Sequence, residues 1–96
     1  MDRKHWRHQI GELREKGQWF ESVDSASRAL TSFPEDSEFI YARAFALVNS
    51  GGLQEALVTI SPALEGVSEK ANFRVKVPEW LREDLLGLGG RIHKEI

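Results

Sequence analysis

Residues 17–34 read GQWFESVDSASRALTSFP, and residues 51–68 read GGLQEALVTISPALEGVS. Laid over one another at a shift of 34, the two stretches agree in character without a gap. Gly17 falls on Gly51, Trp19 on Leu53, Glu21 on Glu55 and Ser22 on Ala56. Val23 then falls on Leu57, Ala26 on Ile60, Ala29 on Ala63 and Leu30 on Leu64. The register extends towards the N-terminus, where Trp6 falls on Ile40, Ile10 on Ala44 and Leu13 on Leu47. Self-similarity at a period of 20–50 residues marks stacked supersecondary units, none of which buries its apolar face alone. Such stacks present surfaces to other proteins. The period therefore points to protein–protein binding as the class of function and names no partner.

The spacing within each unit is helical. Trp6, Ile10 and Leu13 lie on one face of a helix over residues 3–16, closed by Lys16 and Gly17. A wider stripe, from Trp19 to Phe33, predicts a second helix, ended by Pro34, which lacks a donor and clashes with the preceding turn. Asp36 or Ser37 is placed to cap the next helix through a side-chain oxygen. That helix, residues 38–49, is apolar on more than one face and is expected to be the central one. Asn49-Ser50-Gly51-Gly52 is a turn, and residues 53–65 give a fourth helix in which Pro62 predicts a kink or an early end.

The register is lost after residue 65. Phe73, Val75 and Val77 alternate with Arg74 and Lys76 at strand period. The expectation is an extended linker with its apolar side laid on the helices; the alternative is an edge that pairs with a second chain. Pro78 sits for the first turn of a fifth helix with Leu81, Leu85, Leu88 and Ile92 as its stripe. The fold class is all-α in one domain, residues 1–96. It divides into a first repeat (3–34), a second (37–66), a linker (67–77) and a capping helix (78–96).

Composition narrows the class further. Among 96 residues, 41% are hydrophobic and 29% charged, as in ordinary globular proteins. A net charge of -2 gives no bulk attraction to nucleic acid or membrane. The charge is uneven: Arg3, Lys4, Arg7, Arg14 and Lys16 crowd the first helix, whereas residues 35–69 carry six carboxylates against Arg43. The absence of cysteine excludes disulfides, thiolate metal sites and a cysteine nucleophile, and fits a cytoplasmic protein. No apolar run approaches the ~18 residues of a membrane span, and the N-terminus lacks the apolar core of a signal peptide.

The two units resemble tetratricopeptide repeats, whose pattern is Trp-x-x-Leu-Gly-x-x-Tyr, a turn Gly, Ala-x-x-x-Phe, an Ala and a closing Pro. Trp6, Leu13, Gly17, Ser22, Ala26, Ala29 and Pro34 take those places in the first unit. Ile40, Ala44, Leu47, Gly51, Ala56, Ile60 and Ala63 carry the pattern in the second. Gln9 and Arg43 depart from it, standing where the family has Leu; Ile10 stands where it has Gly, and Ser68 replaces the second closing Pro. The resemblance covers residues 3–65 and implies two tetratricopeptide-like hairpins working as an adaptor, scaffold or regulatory module. It allows as an alternative a small chaperone or an obligate subunit of a larger assembly. Residues 83–95 are similar to part of the helical-repeat regulatory region of apoptosis signal-regulating kinases, a region that binds adaptors of the TRAF class; bacterial proteins carry related arrays. That similarity implies a signalling module.

No residue set points to catalysis or to a cofactor. Gly87-Leu88-Gly89-Gly90-Arg91 lacks the strand–loop–helix setting of a phosphate cradle and reads as small residues permitting close packing. His5 and His8 share a helix face, but two ligands do not make a metal site. Trp6, Trp19 and Trp80 are expected in packing. A nucleic-acid reading of the basic first helix is opposed by the acidic middle of the chain. In tetratricopeptide proteins the first helix of each pair lines a concave groove, so the resemblance places Lys4, Arg7 and Arg14 there with Tyr41, Phe45, Val48 and Asn49. Arg and aromatic residues are common interface anchors. Their pairing implies an acidic or C-terminal peptide with an apolar side chain, with Arg7 and Tyr41, one repeat apart, as expected anchors. Gly11 and Ala42 stand where a full carboxylate clamp needs polar groups. Two units are fewer than the three a free stack usually needs, so a longer chain, a protein partner or a homodimer is expected to complete it.

Overall fold

The computed structural model describes residues 1–67 and 75–95. Among these the chain forms five helices: α1 (Arg3–Glu15), α2 (Trp19–Ser32), α3 (Ser37–Asn49), α4 (Leu53–Val67) and α5 (Glu79–Glu95). The architecture is all-α, two helical hairpins followed by a fifth helix. Each helix packs on the next in sequence, and α3 touches all four others. Helices α1, α3 and α5 thus form one layer, with α2 and α4 behind them.

The repeat is visible in the turns as well as in the helices. Asp2 and Asp36, 34 residues apart, are both N-caps: Asp2 accepts from the His5 backbone N–H and Asp36 from those of Glu38 and Phe39. Helices α1 and α3 end alike. Gly17 and Gly51 adopt φ of 68° and 92°, a region that a Cβ disfavours. At each end two backbone bonds close the helix, from Gly17 to Arg14 and Gln18 to Leu13, and from Gly51 to Val48 and Gly52 to Leu47.

The departures at Gln9 and Arg43 have one explanation. Gln9 Nε2 donates to Ser25 Oγ at 3.0 Å, and Arg43 donates to Thr59 Oγ1. Ser25 and Thr59 are themselves one repeat apart. A polar tie within each hairpin therefore takes the place of an apolar contact. Arg43 extends it, with Nε on Ser27 Oγ at 2.9 Å and Nη2 on Glu55 at 2.6 Å, so that it joins α2, α3 and α4.

Helix α3 is the central one, with eight of its thirteen residues buried. It separates two cores. Phe39 and Ala42 face a small cluster with Ile10, Ala26 and Ala29. Ile40, Ala44 and Leu47 face a larger one, shared with Ile60 of α4 and the Leu81, Leu85, Leu88 and Ile92 stripe of α5. The small-residue positions of the repeat, Ser22 and Ala56, Ala29 and Ala63, are all buried, as close approach of the paired helices requires.

Several expectations are corrected. Helix α4 does not end early at Pro62; it runs on to Val67. Pro62 and Val58, whose carbonyl loses its partner, both lie on the exposed side, where water can satisfy it. Of the linker, Val75 is buried and Val77 packs partly buried against the same core, so both are covered within the chain. The expected linker with its apolar side on the helices therefore holds at these two residues, and the alternative of an edge left open for a second chain does not; Phe73 lies outside the described residues. The backbone at Lys76 makes one isolated bridge with Asp36. Gly66 permits this path, since a Cβ there would stand 2.6 Å from the Val75 carbonyl oxygen. Close packing explains only one glycine of α5: Gly89 sits against Leu64, while Gly87 and Gly90 face open space. Trp80 is not packed inside but 60% exposed. No described helix is long and apolar enough to cross a membrane.

Candidate functional site

Helices α1, α3 and α5 enclose a groove of about 260 Å³. Its floor is apolar, made by Ile10, Phe39, Ala42 and Leu81. Gly11 opens it further, because a Cβ there would meet nothing within 4 Å. Arg7 and Arg14 stand on the α1 wall, Glu38 and Tyr41 rise from α3, and Trp80 and Asp84 form the α5 wall. Positions 7, 11 and 14 share one helix face, as do 80 and 84, so each wall presents a continuous edge.

The charged groups are not equivalent. Arg7 Nε lies 2.9 Å from Glu38 Oε2, and Arg3 Nη2 lies 3.6 Å from the same oxygen. This approach is electrostatic rather than an aligned hydrogen bond, since that buried oxygen has no hydrogen-bond partner among the described residues. Arg3 also bonds Asp36, which raises its pKa above the ordinary arginine value. Arg14 behaves differently. Its guanidinium lies 4.3 Å from the Phe45 ring centroid and 5.5 Å from that of Tyr41. Such cation–π contacts hold the side chain over the rings without neutralising it. The rings brace one another, Tyr41 on Phe45 at 5.8 Å and Trp19 edge-on to Phe45 at 5.7 Å. Burial pushes the Tyr41 pKa above its usual value; Arg14 opposes that rise and Asp84 adds to it.

The residues expected on the groove divide into three groups. Arg7, Arg14 and Tyr41 line it, with Phe45 half-buried beneath Arg14. Lys4 is exposed one turn before Arg7 and Asn49 ends α3, its Nδ2 on the Phe45 carbonyl at 2.8 Å; neither lines the groove. Val48 is a correction: it is 6% exposed and packs into the larger core, because α3 turns that face towards α4 and α5. Sequence reasoning missed Trp80, Asp84 and Glu38. The first two belong to a helix outside the 34-residue register, so no repeat position pointed to them.

Compared with protein-family models, curated proteins and solved structures, the chain matches none. What the groove can do therefore rests on its own chemistry. It falls below the roughly 300–1,000 Å³ of small-molecule sites. An apolar floor with charged edges suits one or two side chains of another polypeptide, with polar groups at the rim fixing their orientation.

Proposed function

We propose that the protein is a protein–protein interaction module, a tetratricopeptide-like adaptor or regulatory domain that binds a partner peptide in the groove between α1 and α5. The observation that carries this reading is Arg14, a cation held on Tyr41 and Phe45 beside an apolar floor. Arg and aromatic groups are the side chains that most often supply the binding energy at interfaces once a partner covers them. The 34-residue register and the similarity of residues 83–95 to a kinase regulatory region support the same class and a signalling role in the cytoplasm. Binding, not catalysis, is the proposed activity, and no cofactor is invoked.

A second reading, the obligate subunit of a larger assembly, is favoured by Phe20 and Val58. They are 75% and 73% exposed on α2 and α4, the layer behind the groove. Gly11→Leu separates the two, because it fills the groove from a position that meets no neighbour. Proteins captured from source lysate by the parent and lost by Gly11→Leu are groove ligands. Capture unchanged by Gly11→Leu moves binding to another surface and ends the groove reading.

A further inference from the structure

We propose that the groove selects a mixed-charge peptide: one bulky apolar residue for the floor, an acidic neighbour that meets Arg14 and a basic neighbour that meets Asp84, in that fixed polarity. This rests on the groove being a peptide site.

Four charged side chains line the groove, and two of them are committed to each other, Arg7 to Glu38. Arg14 and Asp84 remain. Neither has a charged partner of opposite sign among the described residues, and they do not pair with each other. They stand on opposite walls, α1 and α5, and both act on the Tyr41 hydroxyl between them. A cation and an anion facing one apolar floor from opposite sides define a direction. A uniformly acidic ligand meets repulsion at Asp84 and a uniformly basic one at Arg14, and such repulsive elements are how interfaces reject wrong partners. Arg14 is already ordered by Tyr41 and Phe45, so little side-chain freedom is lost when a carboxylate arrives. Trp80, one turn before Asp84 on the same wall, is exposed where it can close over the apolar residue.

The test is a displayed library of short peptides with a central leucine and randomised flanks. It is selected against the full chain and against Arg14→Glu, Asp84→Arg, the double variant and Gly11→Leu, each first shown to be helical by circular dichroism. The parent is expected to enrich peptides with an acidic residue on one flank and a basic residue on the other. Arg14→Glu should weaken those peptides by about tenfold or more, the scale of one interface anchor, and the double variant should select the reversed order. Enriched peptides that are uncharged, or carry one sign on both flanks, overturn the mixed-charge inference while leaving the groove in place. Peptides that bind Gly11→Leu as well as the parent overturn the groove reading itself, and a selection that enriches nothing overturns both.

Discussion

The glycines show how one residue type serves opposite ends. Gly17 and Gly51 occupy left-handed turns, where an added Cβ costs about 1–2 kcal/mol. Gly66 has ordinary backbone but sits under a carbonyl, so Gly66→Ala should overpack and lose about 1–3 kcal/mol. Gly11 is in mid-helix with open space above it, and Gly11→Ala should gain about 0.5–1 kcal/mol from reduced chain entropy. Urea midpoints give the order directly, and a destabilised Gly11→Ala would contradict the open groove wall. Tyr41 offers a second measurement because it is the chain's single tyrosine. Its folded pKa lies above 10.0, so folding favours the neutral phenol. That contribution is fully present below the unfolded value and is lost as pH rises through the folded one. Ultraviolet titration should place the midpoint above that of the urea-unfolded chain. Asp84→Asn should lower it and Arg14→Ala should raise it; shifts in the reverse sense would remove both charges from the neighbourhood of Tyr41.

The helices differ in how firmly they are held. Helix α1 buries only Ile10 and adjoins a core built largely of alanines, whereas α4 and α5 share the larger cluster. Amide exchange should therefore be fastest in α1 and slowest in α3 and α4, since local opening follows the apolar area an element buries. At Ala56, fully buried between helices, a leucine should cost about 1–3 kcal/mol by overpacking, and an unchanged urea midpoint would count against close approach there. Helices α1 to α4 were legible in the sequence because their positions are set twice: Ser22 and Ala56, or Gly17 and Gly51, state one constraint in two copies. Asp2 as an N-cap follows by the same shift from Asp36. Helix α5 was legible as a capping helix from its leucine stripe, but its place in the groove wall beside α3 was not. The first helices of the two pairs begin at residues 3 and 37, 34 apart, while α5 begins at 79, a further 42. Those eight extra residues take it out of register, and its position depends on Val75 reaching the core beneath Gly66. Long-range packing of that kind leaves no period to read, so the groove wall carrying Trp80 and Asp84 stayed hidden.

Placing α5 beside α3 changes what the stack can offer. Two hairpins alone would leave an open trough between α1 and α3; the third wall bounds it and brings a carboxylate and an indole to face Arg14. The distribution of charge also reassigns the anchors. The resemblance implied Arg7 with Tyr41, but Arg7 is occupied by Glu38, whereas Arg14 is held on aromatic rings and keeps its charge. On the proposed reading, truncating Arg14 or Tyr41 to alanine should therefore cost about 2 kcal/mol or more in partner affinity, the usual scale of an anchor that the partner covers. Arg7→Ala should cost less, since it removes a group already engaged within the fold. Arg28→Ala is the control, because Arg28 is exposed on α2 and pairs with Asp24 at 3.2 Å, away from the groove. Affinities for a groove ligand, measured by calorimetry on variants with parental circular dichroism, should rank Arg14→Ala and Tyr41→Ala weakest and Arg28→Ala with the parent. If Arg7→Ala proves the weakest instead, the Arg7–Glu38 pair opens on binding and the anchor returns to the position that the resemblance implied. A loss confined to Arg28→Ala would place the binding surface on the α2 and α4 layer.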